Sequence, residues 1–424
     1  MQALNNIGFS NFKAFKDYQS AELSSISLFF GYNNSGKSSI LRAIKLLSDS
    51  FKINDTNQYM KSILDYTSQS IRGASHQELT HIKSSGILFL LGWGDDNSIK
   101  FKIKQNGLDP EIIEEIIVTL SGKVYHFLPS LKDGASSEIF ELKDPEHNAE
   151  LIIENLRLNC KEIDFSSINN LLDTFSSSVF HLNSTRAFPP REFEIGVGIP
   201  LEISPDGIGT AESIWYLSET NSPSFTDINE WLESISGRII DTNNAPISIK
   251  NGKRTVRLET IPASASASTS ELLNVSVLDS GEGIAQVLPV ITLCAQAANN
   301  ELGDFPIIVL EQPELHLHPD ATVALAEFIC SCAQKNKDAR FIIETHSESF
   351  LLSIQKALVS KKLSNVDFSC NWVSKDSSSS KISKVIFDED GYIVENWPDD
   401  VFGEIFQQTR DLIDARERNA VKPT

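Results

Sequence analysis

The first sixty residues alternate between apolar and polar segments in the order of a strand, a loop and a helix. Residues 25–30 form a short, mostly apolar run of β-prone residues that ends at Gly31, where a polar loop begins. Beyond the loop, apolar residues recur at positions 40, 41, 44 and 47, which places them on one face of a helix. The pattern therefore predicts a buried strand that leads through a glycine-rich loop into an amphipathic helix.

A similar order of elements returns in the last third of the chain. Residues 274–298 have the pattern of a strand, a turn and a helix, and an apolar strand follows at 306–310. A helix is predicted at about 320–335 and another strand at 340–343. Alternating apolar strands and amphipathic helices are typical of α/β proteins. We therefore predict an α/β fold.

The middle of the chain divides less clearly. A polar segment at about 55–85 predicts a helix-loop excursion, and the Ser/Ala alternation at 263–270 has no apolar face and predicts a flexible connection. Further strands are predicted at 87–94, 97–104, 138–143 and 149–156. The predicted regions are a first lobe at 1–130, an intermediate region at 131–265, a second lobe at 271–372 and a small C-terminal region at 373–424.

Composition narrows the class of protein. The 424 residues are 41% hydrophobic and 22% charged, as in globular proteins. The longest apolar stretches, such as residues 86–94, are shorter than the roughly 20 residues that cross a bilayer, so no transmembrane helix is predicted. The N-terminus lacks the pattern of a signal peptide, and we expect a cytoplasmic protein. Five cysteines without a C-x-x-C pair are expected to be reduced, with no disulfide framework or zinc site.

The charge balance bears on nucleic-acid binding. The formal net charge is −20, and such a field repels nucleic acid unless a local basic patch overrides it. Basic residues cluster at 100–104 and 250–257, but lysines also protect the edges of exposed strands, which is the simpler interpretation. Composition therefore argues against non-specific DNA coating and leaves specific binding open.

Residues 31–38, GYNNSGKS, match the phosphate-loop pattern G-x-x-x-x-G-K-[ST] in full. The backbone N–H groups of such a loop surround phosphate, and the N-terminus of the following helix adds partial positive charge. In this pattern Lys37 reaches the β- and γ-phosphates and Ser38 binds Mg²⁺. The sequence therefore predicts a site for ATP and Mg²⁺. Its predicted residues are Gly31, Asn33, Asn34, Ser35, Gly36, Lys37, Ser38 and Ser39.

Two apolar strands deliver polar residues at their C-terminal ends, where α/β proteins bind ligands. The first ends in EQPE, with Glu311 as the candidate metal-side carboxylate. The second ends in ETHS, and His346 is predicted to face the same pocket, although a lone histidine is more often a satisfied polar residue. His316 and His318 lack a third clustered ligand, which disfavours a separate metal site.

A second glycine-rich turn, DSGEG at 279–283, opens a helix of its own. Two glycines and a hydroxyl at a helix N-terminus form another potential anion cradle. The candidate residues are Ser280, Gly281 and Gly283.

The order of these motifs resembles the ATPase head of the ABC superfamily: a phosphate loop, SGEG, a strand followed by EQPELHLHP, and THS. More specifically, IGFSNFKAFKD, HLNSTRAFPPR and SGEGIAQVLPVI resemble prokaryotic AAA-labelled ATPases related to structural-maintenance-of-chromosomes and overcoming-lysogenization-defect proteins. The segment DEDGYIVENWPDDVF resembles a C-terminal domain of unknown function found on a subset of these ATPases. The resemblance extends over most of the chain and is weakest at 105–175.

The resemblance implies an α/β fold of the ABC-type P-loop ATPase head, with two lobes, a mixed central sheet and helical insertions. It also implies that this head forms dimers around ATP. Many relatives carry a second carboxylate where this chain has Gln312, which orients water but cannot accept its proton. Hydrolysis should therefore be slow unless Glu314 or His346 supplies a base. The other implied roles are phosphate and Mg²⁺ binding by Lys37 and Ser38, a metal-side role for Glu311, a signature loop at Ser280 and Gly281 that meets the partner's γ-phosphate, and a switch role for His346.

The function implied by the resemblance is a nucleotide-dependent dimerising switch or scaffold. We expect a homo-dimer or higher homo-oligomer with an effector protein partner, which could be a nuclease, in bacterial anti-phage defence or genome maintenance. One alternative is an ATPase-coupled nuclease, although residues 347–424 are short for a nuclease domain of roughly 100 residues and offer one acidic cluster, at 388–390. The other is a transporter ATPase subunit, which the inserted segments at 55–85 and 105–265 disfavour.

Overall fold

The computed structural model describes most of the chain. The described residues are 2–52, 62–83, 85–107, 109–130, 138–144, 148–154, 156–195, 202–242, 245, 247–250, 253–263, 274–364, 366–388, 391–398, 401, 410 and 412–413. Most of the predicted Ser/Ala connection and part of the predicted excursion at 55–85 lie outside them. Among the described helices, none combines the length and the apolar character that a membrane span requires.

Strands dominate the fold. In chain order they are β1 (Asn6–Ser10), β2 (Gln19–Glu22), β3 (Ile26–Phe30), β4 (Ile87–Trp93), β5 (Asn97–Lys104), β6 (Ile112–Leu120), β7 (Lys123–Pro129), β8 (Ile139–Leu142), β9 (Glu150–Glu154), β10 (Arg157–Cys160), β11 (Val179–Leu182), β12 (Phe193–Glu194), β13 (Arg238–Asp241), β14 (Ile247–Lys250), β15 (Lys253–Val256), β16 (Glu259–Pro262), β17 (Val275–Ser276), β18 (Ile307–Glu311), β19 (Arg340–Glu344), β20 (Phe368–Lys375), β21 (Ser380–Phe387) and β22 (Ile393–Glu395).

The α-helices are α1 (Lys37–Phe51), α2 (His76–Leu79), α3 (Ser166–Ser178), α4 (Thr210–Glu219), α5 (Pro223–Ser236), α6 (Glu282–Ala298), α7 (Pro319–Lys335) and α8 (Glu348–Val359). Short 3₁₀ turns lie at Gln69–Ile71 and Val277–Asp279.

The first lobe is built on a nine-stranded antiparallel sheet in the order β10-β9-β8-β7-β6-β5-β4-β1-β2. Strands β4 to β10 each pair with the next, as short hairpin connections dictate. The sheet therefore continues to Cys160, beyond the predicted boundary at 130, because β8 pairs with β7.

The lysines of β5 do not guard an edge, so that interpretation of the sequence is wrong. Strand β5 lies between β4 and β6, and its apolar residues are buried on one face. On the other face, Lys102 and Lys104 lie 2.9 and 3.3 Å from the Glu114 carboxylate of the neighbouring strand. Local pairing with an acidic strand thus neutralises part of the basic segment.

A second sheet is mixed and seven-stranded, in the order β11-β18-β19-β3-β20-β21-β22, and it includes β3 from the predicted first lobe. Strands β11, β18, β19, β3 and β20 are parallel, whereas β21 and β22 run antiparallel. This sheet confirms the predicted mixed α/β fold. It also gathers the C-terminal ends of β3, β18 and β19 at one edge.

Two hydrophobic cores lie on opposite faces of the mixed sheet, and β18 contributes to both. Ile307 and Val309 pack into the core that contains α1 and α3, and Ile308 and Leu310 pack into the core that contains α6, α7 and α8. Alternate residues of a strand point to opposite faces, so a strand covered on both sides is apolar throughout. This explains the uninterrupted apolar run that predicted β18.

The C-terminal region packs beside the end of β3. The ring of Trp397 lies edge-on to Phe30 and Trp372, with centroids 5.4 and 5.2 Å apart. Trp372 in turn contacts the ring of Tyr32 in the phosphate loop at 5.4 Å. All five cysteines are free thiols.

Candidate functional site

The phosphate loop begins at the end of β3, which lies between the parallel strands β19 and β20. Both glycine positions of the loop pattern require glycine in this structure. A Cβ on Gly31 would lie 2.2 Å from the carbonyl oxygen of Val373. Gly36 has a φ of 102°, and a Cβ there would meet the ring of Phe15 at 3.0 Å. Helix α1 begins at Lys37, and no described side chain caps its first turn. The N–H groups of that turn remain available to an anion.

Lys37 lies across the loop. Its side chain is buried, and Nζ donates hydrogen bonds of 2.9 Å to the carbonyl oxygens of Gly31 and Tyr32. Burial lowers the pKa of Lys37, and the nearby Glu344 opposes that shift. The hydroxyl of Ser35 is buried and has no hydrogen-bond partner among the described residues. The loop thus contains one buried cation, Lys37, and one buried hydroxyl without a hydrogen-bond partner in the described part of the chain, that of Ser35.

Glu311 ends β18 inside a buried ionic cluster. Arg42 of α1 donates two hydrogen bonds to it, from Nε to Oε1 and from Nη2 to Oε2, both of 2.7 Å. His181 Nε2 of β11 lies 3.2 Å from Oε1. Burial alone would raise the pKa of Glu311, but the hydrogen bonds and charges of His181 and Arg42 prevail and lower it to about 2. The carboxylate is therefore ionised and firmly held.

Glu344 ends β19 directly opposite Glu311 in the strand register, one strand nearer to β3. It is buried, and Oε2 has no hydrogen-bond partner among the described residues. Burial raises the pKa of Glu344, while the adjacent Ser38 hydroxyl and the charge of Lys37 act against that shift. We did not predict this residue. The available signal was a carboxylate at the end of a strand, immediately before Thr345 and His346.

The segments that follow β18 and β19 are joined by Glu314. Its Oε1 accepts hydrogen bonds from the Thr345 hydroxyl at 2.7 Å and from the His346 backbone N–H at 3.0 Å. Burial raises the pKa of Glu314 and lowers that of His346, which Lys37 also lowers. Gln312 has a φ of 44°, and its N–H donates to the Glu344 carbonyl oxygen at 2.8 Å. The structure thus brings these predicted residues together at one edge.

Arg186, in the segment STRAFPPR, connects this edge to α6. Its Nη2 donates to the carbonyl oxygens of Glu311 and Gln312, at 2.9 and 3.4 Å. Its backbone exchanges two hydrogen bonds with the Gln286 side chain, at 3.1 and 2.7 Å. Burial lowers the pKa of Arg186 to about 10, so the guanidinium stays charged at neutral pH. No role was predicted for Arg186, although a charged residue between a strand and two prolines was a visible signal.

The predicted signature loop, residues 279–283, sits at the start of α6. Ser280 Oγ donates to the Ser276 carbonyl oxygen at 3.1 Å, and Arg191 holds Asp279 through two hydrogen bonds of 2.8 and 2.9 Å. Gly281 has a φ of 105°, and a Cβ on Gly283 would lie 2.6 Å from the His316 carbonyl oxygen. Within the described part of the chain, no hydrogen bond or ion pair joins this loop to the phosphate loop.

The two histidines after β18 have local partners. His318 Nδ1 caps α7 by accepting a hydrogen bond of 3.4 Å from the Asp320 N–H, and His316 Nδ1 lies 3.8 Å from Glu282. No group of three His, Cys, Asp or Glu side chains with the arrangement of a metal site occurs among the residues that the structure covers.

Two family models match the chain. The one described as "AAA domain, putative AbiEii toxin, Type IV TA system" matches residues 129–353, and the one described as "AAA ATPase domain" matches residues 3–123. No curated protein is significantly similar to the chain.

Several solved structures are similar at low identity. A structural-maintenance-of-chromosomes (SMC) head bound to the C-winged helix domain of ScpA has 13% identity, with 91% of this chain and 98% of that chain covered and a TM-score of 0.45. The SMC head domain from Thermotoga maritima has 11% identity, coverage of 91% and 99%, and a TM-score of 0.41. An Smc head with an extended coiled coil, bound to the C-terminal domain of ScpA from Pyrococcus furiosus, has 12% identity, coverage of 91% and 96%, and a TM-score of 0.45.

The family matches agree with the geometry of the site. A complete phosphate loop lies between parallel strands, with acidic residues at the ends of two neighbouring strands. The first family model extends over more than half of the chain, and the second contains the phosphate loop. The predictions of a P-loop ATPase fold and of ATPase activity are thereby confirmed. The chain belongs to the AAA ATPase family whose model is described as "AAA domain, putative AbiEii toxin, Type IV TA system".

Proposed function

We propose that this ATPase is a nucleotide-dependent switch in which two copies of the chain share ATP across a two-fold interface. The observation that carries the proposal is the presence of two separate anion cradles. The phosphate loop opens α1 and the signature loop opens α6, and each helix has a glycine N-cap with no side-chain cap among the described residues. In the proposed dimer, each nucleotide would bind the phosphate loop of one subunit and the signature loop of the other, which gives two equivalent sites across the two-fold axis.

The residues at the phosphate loop suit ATP with Mg²⁺. Lys37 would bind the β- and γ-phosphates and Ser38 would supply a hydroxyl to the metal, with acidic groups at the ends of β18 and β19 on the same edge. Bound Mg²⁺ would neutralise phosphate charge during transfer. The buried, unpaired Oε2 of Glu344 supports the fit, since a buried carboxylate oxygen is costly without a cation or donor.

Slow turnover is part of the proposal. Gln312 stands where a general base would be expected, and an amide cannot accept a proton from water. Glu314 is engaged by Thr345 and His346 through one oxygen, which favours a role in joining two loops. A dimer that hydrolyses ATP slowly would remain closed long enough to signal to a partner.

The proposed setting is a bacterial defence or genome-maintenance complex in the cytoplasm, with an effector protein as partner. The matching family is described by a putative AbiEii toxin and a Type IV TA system, and the sequence resemblance also supports a defence role. A nuclease function of the chain itself is less well supported. Asp388 accepts a hydrogen bond from the Tyr392 N–H within its own turn, and residues 389–390 lie outside the described part of the chain. Nothing in the described site favours a transporter subunit, and nucleic-acid binding stays open.

We expect ATP with Mg²⁺ to stabilise the wild-type protein by about 2.7 kcal/mol when ATP is present at 100 times its dissociation constant. Lys37→Ala should abolish most of this gain, because the variant loses the cation that spans the loop. Thermal denaturation with and without nucleotide measures this stabilisation in the wild type and in the variant. Lys356→Ala is the control, since it removes an exposed lysine that pairs with Glu327 on a distant helix surface. If nucleotide raises the melting temperature of Lys37→Ala as much as that of the wild type, the assignment of the nucleotide site is wrong.

We expect ATP to raise the population of a dimer, or to rearrange one within a larger oligomer. Two chains with a net charge of −20 repel each other, so association needs a specific contact. Ser280→Arg should block the change while nucleotide binding at Lys37 persists. Light scattering or native mass spectrometry reports assembly, and Ser331→Arg adds the same charge on an exposed face of α7 as a control. If Ser280→Arg assembles and hydrolyses ATP like the wild type, the turn at 279–283 serves only as a helix cap.

A further inference from the structure

Three aromatic side chains, Tyr32, Trp372 and Trp397, form an aromatic row that joins the phosphate loop to the C-terminal region. The ring of Tyr32, the second residue of the loop, lies edge-to-face against Trp372 of β20, with centroids 5.4 Å apart. Trp372 in turn contacts Trp397, which follows β22, at 5.2 Å. Trp397 also contacts Phe30, at the end of β3, at 5.4 Å. The C-terminal region thus reaches the loop through direct ring contacts.

The loop end of the aromatic row is connected to Lys37. Tyr32 is 62% exposed, and its contact with Trp372 restrains a side chain that is otherwise largely in solvent. The Tyr32 carbonyl oxygen accepts a hydrogen bond of 2.9 Å from Lys37 Nζ. Beside it, Gly31 lies so close to β20 that a Cβ would be 2.2 Å from the Val373 carbonyl oxygen. The position of β20 therefore determines where the loop holds the Lys37 ammonium.

The segment that carries Trp397 is itself fixed by specific contacts. Asn396, immediately before it, has a φ of 63°, in the left-handed region that asparagine tolerates better than most residues. The Asn396 side chain donates a hydrogen bond of 2.7 Å to the Lys384 carbonyl oxygen of β21. Gln355 of α8 donates to the Gly391 carbonyl oxygen at 2.9 Å. Trp397 is therefore presented from a defined turn.

We propose that Trp397 is a positioning residue for the nucleotide site, which acts on the phosphate loop through Trp372 and Tyr32. Edge-to-face aromatic pairs stabilise beyond the area that they bury, so each contact of the row restrains the loop. The row reaches the loop from β20, whereas Gln312 and His346 follow β18 and β19, on the other side of β3. Trp397 therefore affects nucleotide binding more than the hydrolytic step. This inference rests on nucleotide binding at the phosphate loop.

The test is the dissociation constant of ADP with Mg²⁺, measured by calorimetry, together with KM and kcat for ATP. Trp397→Leu keeps an apolar side chain but removes the ring. It should raise the dissociation constant and KM by about 2–10-fold, the equivalent of one ring contact, and leave kcat unchanged. Trp397→Phe retains a ring and should restore most of the affinity. Tyr392→Leu is the matched control, since it removes a 70% exposed ring outside the row from the same region.

A double-mutant cycle tests whether Trp397 acts through the loop. Tyr32→Ala removes the other end of the row, and its loss of affinity should be smaller in the Trp397→Leu background than in the wild type. Circular dichroism checks that each variant is folded, and Trp397→Met replaces Trp397→Leu if the latter is not. Fully additive losses, wild-type affinity in Trp397→Leu, or a fall in kcat without a rise in KM would overturn the inference. Absence of ADP binding by the wild type would instead refute the nucleotide site and the proposed function.

Discussion

Replacing Gln312 with glutamate should raise the rate of ATP hydrolysis by about 10²–10⁴-fold, the usual contribution of a positioned general base. The neutral amide can orient an attacking water but leaves its proton in place. A carboxylate at the same position can accept that proton. The comparison is steady-state phosphate release by the two proteins at saturating ATP and Mg²⁺.

The backbone at Gln312 favours a clean substitution. Its N–H donates to the Glu344 carbonyl oxygen at 2.8 Å, and its carbonyl oxygen accepts from Arg186 at 3.4 Å. These bonds hold the residue in place without using its side chain, so a glutamate should occupy the same site. Gln77→Glu, on the exposed side of α2, introduces the same charge at a distance as a control.

Other outcomes would assign the base elsewhere. If Gln312→Glu leaves the rate unchanged while Glu314→Gln abolishes activity, the proton acceptor is Glu314. If the wild type hydrolyses ATP rapidly and neither substitution matters, both assignments are wrong.

Glu311→Ala should lower the free energy of unfolding by about 3–5 kcal/mol, because Arg42 keeps a mostly buried charge without its partner. Urea denaturation measures the change. Glu327→Ala removes an exposed glutamate that lies 3.0 Å from Lys356, and such surface pairs contribute about 0–1 kcal/mol. Equal losses in the two variants would contradict the assigned role of the buried cluster.

The same cluster predicts an acid sensitivity. The pKa of Glu311 is about 2 in the folded protein and 4.5 ordinarily, so the folded state holds this proton less tightly than the unfolded state. Its stabilisation is therefore complete above about pH 4.5 and is lost as the pH falls toward 2. In Glu311→Ala this component of the pH dependence should disappear, which a comparison of urea midpoints at pH 6 and pH 3 would detect.

The phosphate loop and the strands beside it could be predicted because their signals are local. Eight consecutive residues define the loop, and β18 is apolar throughout since both of its faces are covered. The extent of the first sheet was harder to predict, because an apolar run such as β8 can pair with any neighbouring strand and the sequence does not say that its partner is β7. The residue pattern within one strand does not reveal which sheet that strand joins.

The electrostatics of the site depends on contacts between distant parts of the chain. Arg42 and Glu311 are 269 positions apart, and Arg186 and Glu311 are 125 apart. Glu311 and Glu344 end similar apolar strands, so the sequence alone does not reveal that Arg42 pairs with Glu311. Only the order of strands places Glu344 next to the phosphate loop.

The buried guanidinium of Arg186 also has a mechanical consequence. It donates to the carbonyl oxygens of Glu311 and Gln312 at the end of β18 and, through Nη1, to the carbonyl oxygen of Gln286 at 3.2 Å, one turn into α6. Because packed interiors are nearly incompressible, α6 and the end of β18 should move as one body. A displacement of α6 would therefore be transmitted to the Gln312 backbone. Force applied to α6 would in this way reach the end of β18.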